Sequence, residues 1–394
     1  MNMENLLAKD VQQYIHANRE TDIVLFSLKK SPFANISSID LTNQIQGWQK
    51  IKTKVPSWYT AAPLLFPPKL NLEQTSSQMS SEYKAQLING KTLVDLTGGF
   101  GVDTFFIGKS FQKTIHIEQN ESLSAIVKHN FDILKRDDIT CISSNSIAWL
   151  QTRKERYDWI YVDPARRGRD GKKLVQLIDY EPNLTQQLPL LFEHTNCIMI
   201  KTSPMYDINA GIKELSHVSQ IHILAINNEV KELIFILEKN GTGTPKVKAV
   251  NFTKRTMEQF EITLNLEDEA QVSYGEPEKY LYEPNAAIMK SGRFKSLAEA
   301  YQLKKIHPNT HLYTNSSLIN FPGRRFKIQT VLPYSPKNIK KQLAGQKANV
   351  ATRNFQNSVK ELKQKFFIKD GGEEYLFFTT TLNDQRILIK TIKA

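Results

Sequence analysis

The chain has 394 residues, of which 40% are hydrophobic and 10% aromatic, and its formal net charge is +12. This length and composition predict a globular protein of two or three domains. No apolar run approaches the ~20 residues of a membrane-spanning helix, and the start MNMENLLAKDVQQYIHANRE lacks the apolar segment of a secretory signal. The two cysteines and the eight scattered histidines indicate neither a disulfide framework nor a metal site. We therefore expect a cytoplasmic protein with no metal and no membrane partner.

The first part of the chain, residues 1–80, is predicted to be a helical segment followed by an irregular one. The stretch VPSWYTAAPLLFPPKLNLEQ is rich in proline and aromatic residues. This composition is typical of a strap that lies over a neighbouring surface. A further helix is expected over SSEYKAQLI, ending near Asn89-Gly90.

Short apolar strands then alternate with helices. Two closing strands, 220–226 and 230–237, are separated by only three residues and should be antiparallel. The pattern predicts a doubly wound, seven-stranded α/β domain over residues 81–240. Its first five strands are expected at 91–96, 113–118, 139–143, 157–162 and 196–201, with a long helix at about 174–194 before the fifth.

Two smaller α+β regions follow, at 241–320 and 321–394. Residues 321–360 contain nine Lys or Arg and no Asp or Glu, and residues 321–394 contain 15 basic and five acidic residues. A merely solvated basic face is one interpretation. A surface that binds a polyanion, usually nucleic acid, is the other and is favoured by such a long segment without acids.

The stretch LVDLTGGFG, residues 93–101, joins a strand that ends in an acid to a helix through a glycine-rich turn. Such a turn brings backbone N–H groups close to a ligand at the start of a helix. The dinucleotide pattern G-x-G-x-x-G fails, because its third position, counted from Gly99, is Thr104. A tight turn that binds nothing is the alternative. The candidate ligand-binding residues are Asp95, Thr97, Gly98, Gly99 and Gly101.

Three polar residues follow the next two strands. Glu118 ends the second strand, 17 residues after Gly101. An acid at this place in a nucleotide-binding sheet accepts hydrogen bonds from the ribose hydroxyls, although a lone acid at a strand end is often only solvated. Asn145 and Ser146 follow the third strand, where a polar side chain could reach an adenine edge.

The fourth strand ends in YVDPARRGRDGKK, residues 161–173. Asp163-Pro164 stops the strand, and five basic residues follow within eight positions. A solvated loop before a helix is one interpretation, and a loop that positions phosphates is the other. The basic residues are Arg166, Arg167, Arg169, Lys172 and Lys173.

These motifs resemble, in their order, the first four motifs of class I S-adenosylmethionine-dependent methyltransferases, which also close their sheet with an antiparallel hairpin. The glycine turn is similar to that of bacterial ribosomal-RNA guanine methyltransferases. Asp163-Pro164-Ala165-Arg166 resembles a motif of RNA 5-methyluridine methyltransferases. PPKLNLEQTSSQMSSEYKA, KYLYEPNAAIMKSG and the ending VATRNF…DGGEEYLF resemble one bacterial family, which joins this domain to a ferredoxin-like and a THUMP-like domain.

The resemblance implies S-adenosyl-L-methionine as cofactor, a ferredoxin-like domain at 241–320 and a THUMP-like basic domain at 321–394. It implies that Asp163, Pro164 and Arg166 line the pocket of the target base. RNA, either tRNA or rRNA, is the expected partner. The residues expected to hold it are Arg167, Arg169, Arg324, Arg325, Lys340, Lys341 and Lys347.

Two departures from related motifs restrict the chemistry. No aromatic residue follows Asp163-Pro164, which disfavours methylation of N6 of adenine or N4 of cytosine. Lys201-Thr202-Ser203-Pro204 follows the fifth strand, where 5-methyluridine enzymes carry a cysteine nucleophile. We therefore expect direct methyl transfer to a base, assisted by proximity and a weak base. The alternatives are an inactive RNA-binding scaffold, a methyltransferase for protein or small molecules, and a nicotinamide-dependent dehydrogenase.

Overall fold

The structure, a computed structural model, describes residues 2–61, 63–166 and 177–394. It divides into two compact units. The first unit comprises Met1–Val218 and Phe235–Gly241, and the second comprises Ser219–Ile234 and Thr242–Ala394. The four domain boundaries expected from the sequence remain a prediction.

The first unit begins with helices that pack on the sheet domain. A hydrophobic core joins this segment to the following domain, with Trp48, Trp58, Phe66 and Phe105 all buried. Full burial of each such side chain contributes about 1.5–3 kcal/mol. The helices are α1 (Met3–Leu7), α2 (Lys9–Ala17), α3 (Ile23–Ser27), α4 (Ser38–Lys54), α5 (Lys69–Gln74) and α6 (Gln78–Ala85).

A parallel sheet with the strand order β7-β4-β1-β2-β3 forms the centre of the first unit. Because these strands are parallel, their carboxyl ends lie at one edge of the sheet. The strands are β1 (Gly90–Asp95), β2 (Phe111–Glu118), β3 (Ile139–Ser143), β4 (Trp159–Val162), a short antiparallel pair β5 (Ala165–Arg166) and β6 (Tyr180–Glu181), and β7 (Cys197–Thr202). The helices are α7 (Val102–Ile107), α8 (Glu121–Ile133), α9 (Ser146–Gln151), α10 (Leu184–His194) and α11 (Ile208–Glu214).

The helix predicted at about 174–194 is shorter in the structure. Residues 177–181 form a 3₁₀ turn and strand β6, and α10 begins only at Leu184. Pro182 disfavours helical backbone at the residue before it. The side chain of Asn183 then accepts the backbone N–H of Gln186 and caps the new helix. Residues 174–176 lie outside the described residues.

The two closing strands of the predicted sheet are β8 (Val218–Ile226) and β9 (Glu229–Glu238), so all seven expected strands are present. They are neighbours joined by two residues and therefore antiparallel. In the second unit β8 has a further parallel neighbour, β10 (Lys246–Phe252), which pairs with β11 (Met257–Thr263). These two strands had been expected within the 241–320 domain, but they extend the edge of this sheet instead.

A separate seven-stranded sheet of the second unit has the order β13-β14-β12-β15-β18-β17-β16. Side chains alternate across it, with Phe378 and Leu388 in a core under α15 and α16, and Phe377 and Ile389 in a second core. The strands are β12 (Tyr280–Pro284), β13 (Lys304–His307), β14 (Thr310–Asn315), β15 (Gly323–Pro333), β16 (Asn349–Arg353), β17 (Glu374–Thr380) and β18 (Arg386–Lys393). The helices are α12 (Leu266–Glu269), α13 (Ala286–Ser291), α14 (Phe294–Ala300), α15 (Pro336–Leu343) and α16 (Val359–Phe366).

None of the helices in the described part of the chain is long and apolar enough to cross a membrane. Within the same residues, no three His, Cys, Asp or Glu side chains are grouped so that they could hold a metal ion.

Candidate active site

The glycine turn after β1 is shaped by close packing. Gly101 adopts φ +79° and caps α7, and a β-carbon there would lie 2.6 Å from Cζ of Phe131. A β-carbon on Gly98 would overlap the imidazole of His116. Gly99 also has a positive φ, +54°, but a β-carbon there would have no neighbour nearer than 3.7 Å. Two glycines are thus required by packing, and Gly99 is the least crowded of the three.

The side chain of Asp95 is hydrogen-bonded to this turn. This side chain is buried and accepts hydrogen bonds from the Thr97 N–H at 3.0 Å and from the Thr104 hydroxyl at 2.5 Å. Burial raises the pKa of Asp95 to about 7, and the two hydrogen bonds only partly oppose this. Through these contacts Asp95 fixes the conformation of the turn.

Glu118 lies at the carboxyl end of β2, directly beside the turn. One carboxylate oxygen accepts the N–H of Gly99 at 3.0 Å and the other accepts the N–H of Asn120 at 2.8 Å. The half-buried carboxylate is therefore fixed in orientation next to the open face of Gly99.

Asn145 and Ser146 lie close to this edge of the sheet, since the N–H of Ser144 donates to the carbonyl of Glu118 at 3.2 Å. The Asn145 side-chain oxygen accepts the N–H of Ala148 at 3.0 Å, and Ser146 is the first residue of α9. Asn145 thus has a structural task, the N-cap of α9, besides the adenine contact predicted for it.

Asp163 and Lys201 form an ion pair across the ends of β4 and β7. Their side chains are 35% and 11% exposed, respectively. The Asp163 N–H also donates to the Thr97 hydroxyl at 2.6 Å, which ties this loop to the glycine turn. Burial raises the pKa of Asp163, and Lys201 opposes that rise.

The structure places the remaining residues of this loop only in part. Pro164 is buried. The backbone of Arg166 pairs with Tyr180 in the β5–β6 ribbon. Arg167 and Arg169 lie outside the described residues.

A buried polar cluster lies next to the site, at the end of β4. Lys84, fully buried, forms a 2.8 Å ion pair with Asp103. Asp103 also accepts the hydroxyls of Tyr161, Ser76 and Ser81 at 2.7, 2.7 and 2.6 Å. Burial alone would raise the pKa of Asp103, but the positive charges of Lys84 and Lys201 outweigh it and hold that pKa well below its usual range. The cluster joins α6, α7 and the end of β4.

Lys201 and the pair Lys84–Asp103 were not among the predicted site residues. Lys201 had been noted only because it stands where a cysteine nucleophile would be needed. A lysine at the carboxyl end of the otherwise apolar strand NCIMIK is the signal that could have found it. Lys84 and Asp103 gave no signal, because on helices such residues are usually solvated.

The predicted RNA-holding residues of the second unit differ in their surroundings. Lys340, Lys341 and Lys347 are exposed. Arg325 is half-buried and donates to the carbonyl of Ile319 at 3.4 Å. Arg324 forms an ion pair with the buried Glu283, so its guanidinium is engaged within the protein.

Three stretches of the chain match known protein families, and one solved structure is similar over its whole length. Residues 76–215 match a family described as conserved hypothetical protein 95, residues 280–322 a ferredoxin-like domain, and residues 323–391 a THUMP-like domain. The crystal structure of a candidate methyltransferase from Porphyromonas gingivalis W83 is 30% identical, covering 100% of this chain and 99% of that chain, with a TM-score of 0.89. No curated protein matches the chain.

Two further solved structures are far less similar. An S-adenosylmethionine-dependent methyltransferase from Agrobacterium tumefaciens is 14% identical over 41% of this chain and 61% of that chain, with a TM-score of 0.32. The tRNA m1G37 methyltransferase of M. jannaschii is 14% identical over 43% of this chain and 51% of that chain, with a TM-score of 0.31. Similarity at this level does not extend their activities to this chain.

The end-to-end similarity and the three matched regions define a multidomain protein with a methyltransferase core. The protein belongs to a family of methyltransferases that carry a ferredoxin-like and a THUMP-like domain. The fold class expected from the sequence is therefore confirmed.

Proposed function

We propose that the protein transfers a methyl group from S-adenosylmethionine directly to a base of structured RNA, tRNA or rRNA, at the Asp163–Lys201 pair. One observation carries this proposal. The turn 97–99 is hydrogen-bonded on one side to Glu118, through Gly99, and on the other to Asp163, through Thr97. An acid that could accept hydrogen bonds from a nucleoside and an acid that could accept a proton therefore lie on either side of the same turn.

The cofactor fits the Glu118 side of the turn. Gly99 brings no side chain to this side of the turn, and the fixed Glu118 carboxylate retains lone pairs for the ribose hydroxyls. Asp95 keeps the turn in shape from below. S-Adenosylmethionine, when bound, supplies a methyl group on a sulfonium sulfur, which a nucleophilic atom attacks.

The substrate fits the Asp163 side. Asp163 accepts a hydrogen bond or a proton from the methyl-accepting base, and Lys201 fixes the direction of its carboxylate. Methyl transfer forms the bond from the methyl carbon to the base atom as the bond from carbon to sulfur breaks. The proton that the base loses goes to Asp163. Lys201, Thr202 and Ser203 stand at the end of β7, so no cysteine nucleophile is available there.

The proposal that the substrate is RNA rests on the charge of residues 321–394. The 15 basic and five acidic residues of 321–394 favour a polyanionic substrate over a protein or a small molecule. Phosphate contacts of lysine and arginine position a nucleic acid without reading its sequence.

The deciding experiment is methyl transfer from isotopically labelled S-adenosylmethionine into an extract of a strain that lacks this protein, separated afterwards into RNA, protein and small molecules. Mass spectrometry of the nucleosides should identify one labelled base. Label found in protein or in small molecules instead would replace RNA as the substrate. Cofactor binding without transfer to any fraction would favour the inactive scaffold.

A further inference from the structure

Phe367 is the one exposed aromatic side chain in the part of the chain that the structure describes. Its side chain is 58% exposed, whereas its neighbours Phe366 and Ile368 are buried in the core under α15 and α16. Phe367 therefore contributes little to that core.

The backbone at Phe367 also disfavours this residue type. Phe367 caps the carboxyl end of α16 with φ 55° and ψ 40°, in the left-handed region. Glycine is usual at this position of a helix end, because a β-carbon is strained there. A bulky side chain that is strained and mostly exposed points to a function outside the fold.

One helix next to Phe367, α15, carries three exposed lysines. Lys337, Lys340 and Lys341 are exposed at helical spacing on α15, whose Ile339 and Leu343 face the core. The Lys340 Nζ lies 4.7 Å from the centre of the Phe367 ring.

Two backbone contacts bring further lysines close to Phe367 along the chain. The N–H of Gly345 donates to the carbonyl of Phe367 at 3.0 Å. The backbones of Lys347 and Lys369 form an isolated parallel β-bridge. No ion pair joins any of the lysines at 337, 340, 341, 347 and 369 to a carboxylate of the described residues. Nearby Asp370 is already paired with Lys363. Exposed lysines without a carboxylate partner favour binding of a polyanion.

We propose that Phe367 is a stacking platform for an unpaired base of RNA, with these five lysines holding the phosphates on either side. The proposal rests on the proposed RNA substrate and names the place where RNA is gripped outside the active site. Every base offers a π-face to an aromatic ring, so such a contact is tolerant of sequence. Combined with lysine–phosphate contacts, it gives affinity for a single-stranded segment or a loop of a structured RNA.

The test measures binding of the full-length protein to an unstructured 12-nucleotide RNA and to heparin, a polyanion without bases. The glycine variant Phe367→Gly should weaken RNA binding about five- to hundredfold, the range of one lost base–aromatic stack, and leave heparin binding unchanged. Its melting temperature should equal or exceed that of the wild type, because glycine relieves the strain. Phe367→Trp, which keeps an aromatic ring at this position, should bind RNA as tightly as the wild type.

Equal RNA affinity of Phe367→Gly and the wild type would overturn the proposal, as would an equal loss of heparin and RNA binding. A lowered melting temperature in Phe367→Gly would assign Phe367 to the fold instead. These outcomes are separate from methyl transfer. If the wild type binds the RNA through Phe367 but methylates none, only the proposed activity fails; if it methylates RNA and Phe367→Gly binds normally, only the platform fails.

Discussion

Glu118 has the most sharply testable role among the site residues. Replacing Glu118 with alanine should lower the affinity for S-adenosylmethionine roughly ten- to hundredfold, because a carboxylate that accepts two ribose hydroxyls contributes about 1.5–3 kcal/mol. Titration calorimetry measures this change. Glu121→Gln, at an exposed acid in the next helix, is the matched control and should bind normally. Binding of NADH in place of S-adenosylmethionine would revive the dehydrogenase alternative.

Asp163 and Lys201 should separate chemistry from binding. Asp163→Asn removes the proton acceptor with little change in shape, so kcat should fall by about 10²–10⁴ while KM for RNA changes little. Lys201→Gln removes the charge that lowers the pKa of Asp163. In the Lys201→Gln variant, the acid limb of the dependence of kcat on pH should therefore move to higher pH. Unchanged kcat in Asp163→Asn would remove this residue from the mechanism.

The raised pKa of Asp95 implies that the stability of the protein depends on pH. Its pKa is about 7 in the folded protein and about 3.9 for an ordinary aspartate. The folded state therefore retains a proton that the unfolded state releases between these values. The contribution of Asp95 to stability is fully present below about pH 4 and is lost as pH rises to about 7, at up to ~1.4 kcal/mol per pH unit.

Urea unfolding of the wild type and Asp95→Asn from pH 4.5 to 7.5 measures this contribution. The free energy of unfolding of the wild type should fall relative to the variant as pH rises. Burial lowers the pKa of His116 to about 4, and its opposite effect cancels because both proteins contain it. The exposed Asp137→Asn serves as control. A difference that stays constant with pH would mean that Asp95 is ionised throughout.

The sequence predicts the acids of the site better than their partners. Asp95 and Glu118 each end a strand and Asp163 directly follows one, and the ends of parallel strands meet at one edge of the sheet. Lys84 and Asp103 come together only because α6 packs against α7. Such a contact between helices has no local sequence pattern, so their pairing required the structure.

The strap before α5 is held by side chains from two helices, α4 and α8. Asn130 donates to the Leu65 carbonyl and accepts the Leu65 N–H, both at 2.8 Å. Gln44 makes the same pair of bonds to Phe66, at 2.8 and 2.9 Å. Two amide side chains thus replace the strand neighbour that a buried extended segment would otherwise need.

Asn130→Ala should leave a buried N–H and a buried carbonyl without partners, at about 1–3 kcal/mol each. The free energy of unfolding should fall accordingly, and the amides of Leu65 and Phe66 should exchange hydrogen faster. Urea unfolding and hydrogen exchange measure the two effects. Lys128→Ala, at an exposed position of the same helix, is the control. Unchanged exchange at Leu65 would mean that the strap is held by its apolar side chains alone.

Element types were easier to predict than element neighbours. The seven strands of the methyltransferase sheet followed from apolar runs, whereas Pro182 and Asn183 moved the start of α10 to Leu184. Strands β10 and β11 were recognised as strands but expected in another domain. Nothing in an apolar strand says which edge it will join, because every exposed edge offers the same backbone groups.

At the scale of the whole chain, the sequence gives the amount of charge but not its pairing. Glu283 is buried and binds both Arg324 and Arg353, which lie 41 and 70 residues away along the chain. These arginines therefore count less toward an RNA surface than the raw composition suggests. Removing either would leave a buried carboxylate with one partner fewer, which is a loss of stability rather than of RNA affinity.

The exposed lysines are the ones that should govern RNA binding. Replacing Lys340, Lys341 and Lys347 together with glutamine should weaken binding of structured RNA and flatten its dependence on salt. Each lost phosphate contact should remove roughly 0.7–0.9 from the slope of log affinity against log salt. Affinity for S-adenosylmethionine should not change, because these residues lie outside the methyltransferase core. Filter binding at a series of salt concentrations measures the slope.

A matched control removes the same charge elsewhere. Lys29, Lys30 and Lys113 are exposed residues of the first unit, and their triple glutamine variant has the same net charge as the test variant. If RNA contacts were spread evenly over a basic protein, both variants would lose the same slope. If residues 321–394 grip the RNA, only the first variant should lose it, because counterions are released only where phosphates are bound. Equal slopes in the wild type and the first variant would make this basic region a solvated surface and leave the affinity to other residues.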